Sequence, residues 1–226
     1  MDNILNFPST TIVNKPVPKN AFHGRSNNSS LREFLTREFE GIVWLYKLTP
    51  ATLNVEDGDY VHEIDVFYCR MKEDKYSIKP FSVMDELLPR HTIFIIEYGG
   101  KFDLLMHHKE MSVVHGKQKW KYGVGELKRD IRIDADTLNI QGQSMDTIYN
   151  DLLSQISGLS VSTREEYKEQ VDVRKHIESI QKQIMTLQKR IKAEKQFNRQ
   201  MELNAEVRQL RKEITLLTDK LNKNNI

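Results

Sequence analysis

From Arg164 to the last residue, 226, the chain contains neither glycine nor proline, and two apolar stripes at heptad spacing run through that stretch. Val173, Ile177, Ile180, Ile184, Leu187 and Ile191 recur with steps of 4-3-4-3-4, and Leu203, Val207, Leu210, Ile214, Leu217 and Leu221 repeat the same steps. This spacing makes one side of a helix apolar, and that side needs a partner helix to cover it. The stripes are mirror images about Phe197, so each residue of the first has a counterpart in the second. Antiparallel coiled coils set a positions against d positions, and the mirrored pairing does so throughout.

Between Ile191 and Leu203 the phase breaks: the step is twelve residues where a continuous seam needs about ten. At about 100° per residue the second stripe starts about 120° round the helix from the first. Straight helices crossing in an antiparallel homodimer would also satisfy the mirror, as would docking onto a different partner. The slip favours a bend near Phe197, with Asn198 as the plausible turn residue. The expectation is therefore a coiled-coil tail over residues 164–223, folded back as an antiparallel hairpin and opened by a capping box between Thr163 and Glu166.

Composition fits such an appendage. Apolar residues make up 38% of the 226 and charged residues 29%, as a solvated helix attached to an ordinary core would give. From Arg164 onward there are 15 Lys and Arg against 10 Asp and Glu, which leaves 19 against 22 for the rest. A mildly acidic body carries a basic tail. The cations concentrate near the mirror point, where Lys189, Arg190, Lys192, Lys195 and Arg199 surround Phe197 and only Glu194 opposes them. A zipper tip does not need that cluster. It suits a phosphate backbone with Phe197 stacking, or an acidic partner protein with Phe197 filling a pocket. A merely solvated tip is the plain alternative.

The body divides into an extended N-terminal arm over residues 1–29 and an α+β domain over 30–158. Pro8, Pro16, Pro18 and the run Ser26–Ser30 speak for the arm and a loop. Ser30 and Glu33 form a capping box, after which Leu31, Phe34, Leu35 and Phe39 recur at helical spacing. "YVHEIDVFYCRMK" reads as a strand and "FSVMDELLP" as a short helix. Two apolar runs flank Gly99-Gly100, residues suited to the positive φ of a tight hairpin. "MSVVHG" and "KWKYGVG" read as further strands, and Met145, Ile148, Tyr149, Leu152, Leu153 and Ile156 line one face of a helix stopped by Gly158. The fold class that follows is α+β: a small, mainly antiparallel sheet with flanking helices, then the helical tail.

Taken in succession, "VPKNAF", "WLYKLTPATLNV", "EIDVF", "IFIIEYGGK", "LNIQGQSMDTIYNDLLSQISG" and "EKQFNRQMELNAEVRQLRKEI" resemble domain-of-unknown-function family four-three-nine-one, an uncharacterised prokaryotic family. The resemblance covers nearly the whole chain. It implies a context rather than a reaction, because members typically stand beside helicase and DNA-methyltransferase genes in loci of the antiviral-defence kind. It supplies no catalytic residues.

The residues themselves offer thin candidates for chemistry. Glu63 and Asp65 lie two apart on the expected strand and so share a face, as a metal-dependent nuclease requires. Such a nuclease would also want a Glu-x-Lys, and both Glu73-Asp74-Lys75 and Glu126-Leu127-Lys128 have that spacing. The first reads as loop and the second follows what reads as a glycine-rich turn, "YGVG". His107 and His108 are adjacent, point to opposite faces of a strand and cannot chelate one ion; Glu110 shares a face with His108 but lacks a third ligand. Cys69, the single cysteine, sits in an apolar strand, excludes an internal disulfide and reads as buried. No phosphate-binding loop, dinucleotide fingerprint or serine elbow is present.

No signal peptide or membrane span is expected, which points to a cytoplasmic protein. The resulting expectation is a non-catalytic accessory subunit of a nucleic-acid-processing assembly, without cofactor or metal. Its partner is a protein such as a helicase or methyltransferase, or DNA, bound through the basic tail, with homo-oligomers possible. The alternative is a metal-dependent nuclease using Glu63, Asp65 and Lys128.

Overall fold

A computed structural model describes residues 4–22, 29–114, 117–132, 135–159 and 163–223. The chain divides into two compact units, Met1–Gly158 and Leu159–Ile226. The first is built on a six-stranded sheet in sequence order: β1 (Ile12–Pro16), β2 (Phe39–Leu48), β3 (Ile64–Met71), β4 (His91–Tyr98), β5 (Lys101–Val114) and β6 (Lys117–Ile131). Neighbouring strands are antiparallel except β3 and β4, which are parallel. The sheet is thus mixed and mostly antiparallel, as anticipated. Its helices are α1 (Ser29–Glu38), the single turn α2 (Pro50–Leu53), α3 (Lys79–Glu86) and α4 (Met145–Ser157).

The strands that read as continuous apolar runs are those covered on both faces. Ile64–Met71 and His91–Tyr98 are buried almost throughout, because α1 and α3 pack on one side and α4 on the other. One core joins Leu31, Phe34 and Leu35 of α1 and Phe81 and Met84 of α3 to Phe67, Phe94 and Leu105 of the sheet. On the opposite face the rings of His91 and Tyr149 lie 4.4 Å apart. Gly99 and Gly100 take φ values of 53° and 74° and close the β4–β5 hairpin as the sequence suggests.

Several elements depart from the sequence reading. "FEGIVWLYKL" continues the apolar run after α1 but is strand β2, with Phe39 as its first residue rather than a helix position. Residues 12–16 of the arm pair with β2 as an edge strand, where Pro16 is tolerated. "YGVGELK" is not a turn but the interior of β6. Gly125 is required there because a Cβ would meet the His107 ring at 2.9 Å, and Gly123 lies against the backbone and side chain of His108. α1 begins at Ser29, so Ser30 is not its cap; residues 26–28, which include the cap position, fall outside the described residues.

Parallel strands need a crossover, and α3 supplies it. A buried ion pair fixes it in place. Lys109 reaches from β5 under the end of α3, where its ammonium lies 2.6 Å from Asp85 Oδ1 and both side chains are fully buried. The same nitrogen donates to the carbonyls of Asp85 (3.0 Å), in the last turn of α3, and of Arg90 (2.5 Å), in the segment that leads from α3 into β4. His107 Nδ1 lies 3.2 Å from the other carboxylate oxygen and its Nε2 is 2.9 Å from Ser82 Oγ. Burial draws the Lys109 ammonium below its usual pKa, and Asp85 opposes that shift.

The second unit consists of α5 (Arg164–Ala193) and α6 (Phe197–Lys223). Thr163 caps α5: its hydroxyl accepts from the Glu166 N–H and the Glu166 carboxylate accepts from the Thr163 N–H, both at 3.2 Å. Ile180, Ile184, Leu187, Leu203 and Val207 form one buried cluster between the two helices, with Ile191, Leu210, Ile214 and Leu217 packed on its flanks. Val173, Ile177 and Leu221 are half-buried. Far from the connection, His176 Nε2 meets Glu213 Oε1 at 3.0 Å.

Removing one partner of a buried pair leaves the other charge uncompensated, whereas replacing both with apolar groups relieves the problem. Lys109→Met is expected to cost about 3 kcal/mol and the double variant Asp85→Leu/Lys109→Met to recover most of it. Urea unfolding followed by circular dichroism reads this; a neutral single variant would show that the crossover is held otherwise.

Candidate functional site

Two places in the chain gather chemistry: one end of β3 in the sheet unit and the α5–α6 connection in the helical unit. At the first, Glu63 stands one residue before β3 and Asp65 is its second residue. The parallel partner of Asp65 is Thr92, so the segment entering β4 brings Arg90 alongside. One guanidinium nitrogen of Arg90 lies 2.8 Å from Glu63 Oε1 and 3.6 Å from Asp65 Oδ2. From the other side, Lys47 of β2 stands opposite Asp65 in register and places its ammonium 3.2 Å from Glu63 Oε2. Two acids and two bases therefore form a neutral group.

Glu63 and Asp65 do share a face, and a cation already lies between them. Lys128, the third member of the nuclease alternative, does not join them. It stands on β6, three strands away and hence about 14 Å across the sheet. There it donates to the Gln155 carbonyl of α4 at 3.4 Å. Glu126 of the same triplet is buried in the strand, while Glu73, Asp74 and Lys75 lie in the connection after β3. Among the described residues no group of three or more His, Cys, Asp or Glu side chains is placed to hold a metal ion. His107 faces α3 through Asp85 and Ser82, whereas the His108 ring is 6.4 Å from that of Tyr149 on α4. Cys69 is wholly buried, and burial pushes its thiol far above the range in which thiolates form.

Asp65 is the member of the group that sequence reasoning undervalued. It is only 3% exposed, and its Oδ1 has no hydrogen-bond partner. The nearby indole N–H of Trp44 donates to the Tyr46 carbonyl at 3.0 Å. Burial and the neighbouring Glu63 charge raise its pKa to about 6, against the pull of Arg90, Lys47 and Trp44. Arg90, Lys47 and Trp44 gave no sequence signal, since register alone brings three separate strands to this point.

At the α5–α6 connection the bend is made by Glu194, Lys195 and Gln196, not by Asn198, which lies in the first turn of α6. The Glu194 carboxylate accepts from the N–H groups of Lys195 (2.8 Å) and Gln196 (3.0 Å). Those bonds hold its carboxyl below the usual carboxylate range. Gln200 closes the turn by donating to the Glu194 carbonyl at 2.7 Å. The acid that opposes the cations in sequence is thus occupied by the backbone. Arg199 is matched with Glu202 at 2.6 Å, while Lys189, Arg190, Lys192 and Lys195 are exposed.

Phe197 is 71% exposed, Met185 59% and Met201 49%. Met185, Lys189 and Lys192 share one face of α5, and Phe197, Met201 and Asn204 share one face of α6, by their helical spacing. Met185, Lys189, Lys192 and Asn204 line a common groove of about 410 Å³. The twelve-residue step that breaks the seam frees Phe197 to face outward.

A mixed-sheet domain followed by a pair of long helices, with a basic and apolar surface near the bend, is the class of protein these features define. The chain belongs to the family described as Domain of unknown function (DUF4391), whose model matches residues 5–214. No curated protein and no solved structure matches the chain. No helix among the described residues is long and apolar enough to cross a membrane.

The raised pKa of Asp65 has a consequence for stability. The folded chain keeps this proton up to about pH 6, whereas an unperturbed aspartate releases it near 3.8. Stability is therefore lost as the pH rises between those values, and the cost is complete above the upper one. Asp65→Asn is expected to stabilise the fold by on the order of 2 kcal/mol at pH 7 and to change nothing below pH 4. Urea midpoints across that range check it; a less stable variant at neutral pH would mean that the carboxylate is paired more strongly than its geometry shows.

Proposed function

We propose that the protein is a non-catalytic interaction subunit of a nucleic-acid-processing assembly, and that it engages its partner through the bend of the helical unit. In this reading α5 and α6 form an antiparallel coiled-coil hairpin within one chain. The observation that carries it is the joint exposure of Phe197, Met185 and Met201 beside Lys189 and Lys192. Exposed aromatics and methionines among cations are the composition of binding anchors rather than of a solvated helix surface. Among the described residues Lys189, Lys192 and Lys195 make no ion pair, so their charge is free to meet an acidic surface.

The occupant favoured here is a partner protein with an acidic, pocketed surface, because a phosphate backbone needs the cations but not the methionines. The helicase or DNA-methyltransferase setting that the family resemblance implies supplies candidates. DNA is the other possible occupant, bound through the same cations with Phe197 stacking on a base.

The test reverses Lys189, Lys192 and Lys195 to Glu. These positions lie outside the seam, and surface charges contribute little to stability, so the melting temperature is expected to hold. Affinity for the assembly that co-purifies from the native host is expected to fall by about tenfold or more, and its salt dependence to flatten. Phe197→Ala is expected to weaken the partner further while leaving duplex DNA binding untouched. A reversed variant that binds both partner and DNA like the natural chain would reduce the tip to a solvated bend.

A further inference from the structure

The cleft beside Asp65 lies in the other unit, and the tip reading does not use it. It has a volume of about 220 Å³ and is lined by Val17, Phe22, Trp44 and Phe67, with Asp65 and Arg90 as its charged members. Pockets for drug-sized molecules hold roughly 300–1,000 Å³, so this one has room for a single ring. Its aromatic wall continues inward: Trp44 stacks on Phe67 at 6.4 Å and 26°, and Phe67 on Phe94 at 6.2 Å and 29°. The Lys47 ammonium lies 5.9 Å from the Trp44 ring centroid.

Asp65 Oδ1 is a buried acceptor without a partner in that cleft. A buried polar group left unsatisfied costs free energy, and such a group persists where a ligand completes it. The charge around it identifies the ligand. Glu63 and Asp65 are already balanced by Arg90 and Lys47, so the vacant lone pair calls for a neutral N–H donor rather than another cation. A flat ring with an apolar face and an N–H on its edge meets both requirements.

We propose that this cleft binds a nucleobase, its face against Trp44 and its Watson–Crick edge donating an N–H to Asp65. An unstacked base from a single strand has both features, and carboxylate side chains accept from the exocyclic amine of cytosine in the same way. Arg90 lines the cleft and is the cation placed to meet the sugar-phosphate of such a base.

Uncharged nucleosides test this without involving the cations of the helical unit. The full-length protein is titrated with cytidine and with 3-methyluridine, which lacks an N–H on that edge. The readout is the Trp44 indole N–H resonance, assigned by Trp44→Phe. Cytidine is expected to shift that signal at millimolar concentration and 3-methyluridine to bind about tenfold more weakly. Asp65→Leu is expected to abolish the difference while keeping the thermal transition, and Asp65→Glu, whose longer carboxylate is misplaced, to reduce it. No shift with any nucleoside would overturn the proposal. So would equal binding of cytidine and 3-methyluridine, or a stronger response to butylammonium, which would make the cleft a receptor for a partner's lysine.

Discussion

The sheet unit depends on the ammonium of Lys109. Parallel pairing of β3 and β4 requires a crossover, and the end of that crossover leaves carbonyls turned into the protein interior. One buried cation satisfies the carbonyls of Asp85 and Arg90 and the carboxylate of Asp85 together. His107, the residue two before it on β5, completes the site from the same face of the sheet. The carbonyl that Lys109 holds belongs to the residue whose guanidinium contacts Glu63 and Asp65. Fixing the crossover thereby fixes the cleft.

The two units treat charge differently. In the sheet unit most acids are internally matched: Asp103 accepts from Tyr76, Tyr98 and the Asp130 N–H, and Glu97 is held by Tyr68 and Arg70. Asp146 accepts from three successive backbone N–H groups, those of Asp59, Tyr60 and Val61. Near the bend of the helical unit, by contrast, the acid is taken up by the turn itself and the lysines face solvent.

What the sequence disclosed follows from how local each signal is. Gly99-Gly100, the Thr163 box, the Gly158 stop and the six apolar positions of α4 are written within a few residues, and each stands where periodicity and capping place it. The Ser144–Thr147 capping box that opens α4 was equally local but has Thr where Glu or Gln is usual. β2 was hidden because an apolar run after α1, interrupted at its start by Glu40 and Gly41, looks like more helix, and only pairing with β1 and β3 makes it a strand. β6 was legible in "KWKYGVG", but its continuation past Gly125 was hidden, because its glycines make room for the His107 and His108 side of β5 rather than for a turn. The Asp65 group was half legible: the two acids share a face by spacing, but Arg90 and Lys47 reach them by register. The phase slip signalled a bend near Phe197 but not its residues, since a glutamate that caps its own turn looks like any charged helix residue.

Contact with a partner at the helical bend, as proposed, would leave a footprint on the backbone amides. Amide hydrogen exchange of the protein alone and within the assembly purified from its host would map this directly. New protection is predicted over residues 185–201, spanning the end of α5, the bend and the start of α6, beyond the protection that the two helices give each other. Exchange there that is unchanged on assembly, with protection confined to the sheet unit, would contradict it.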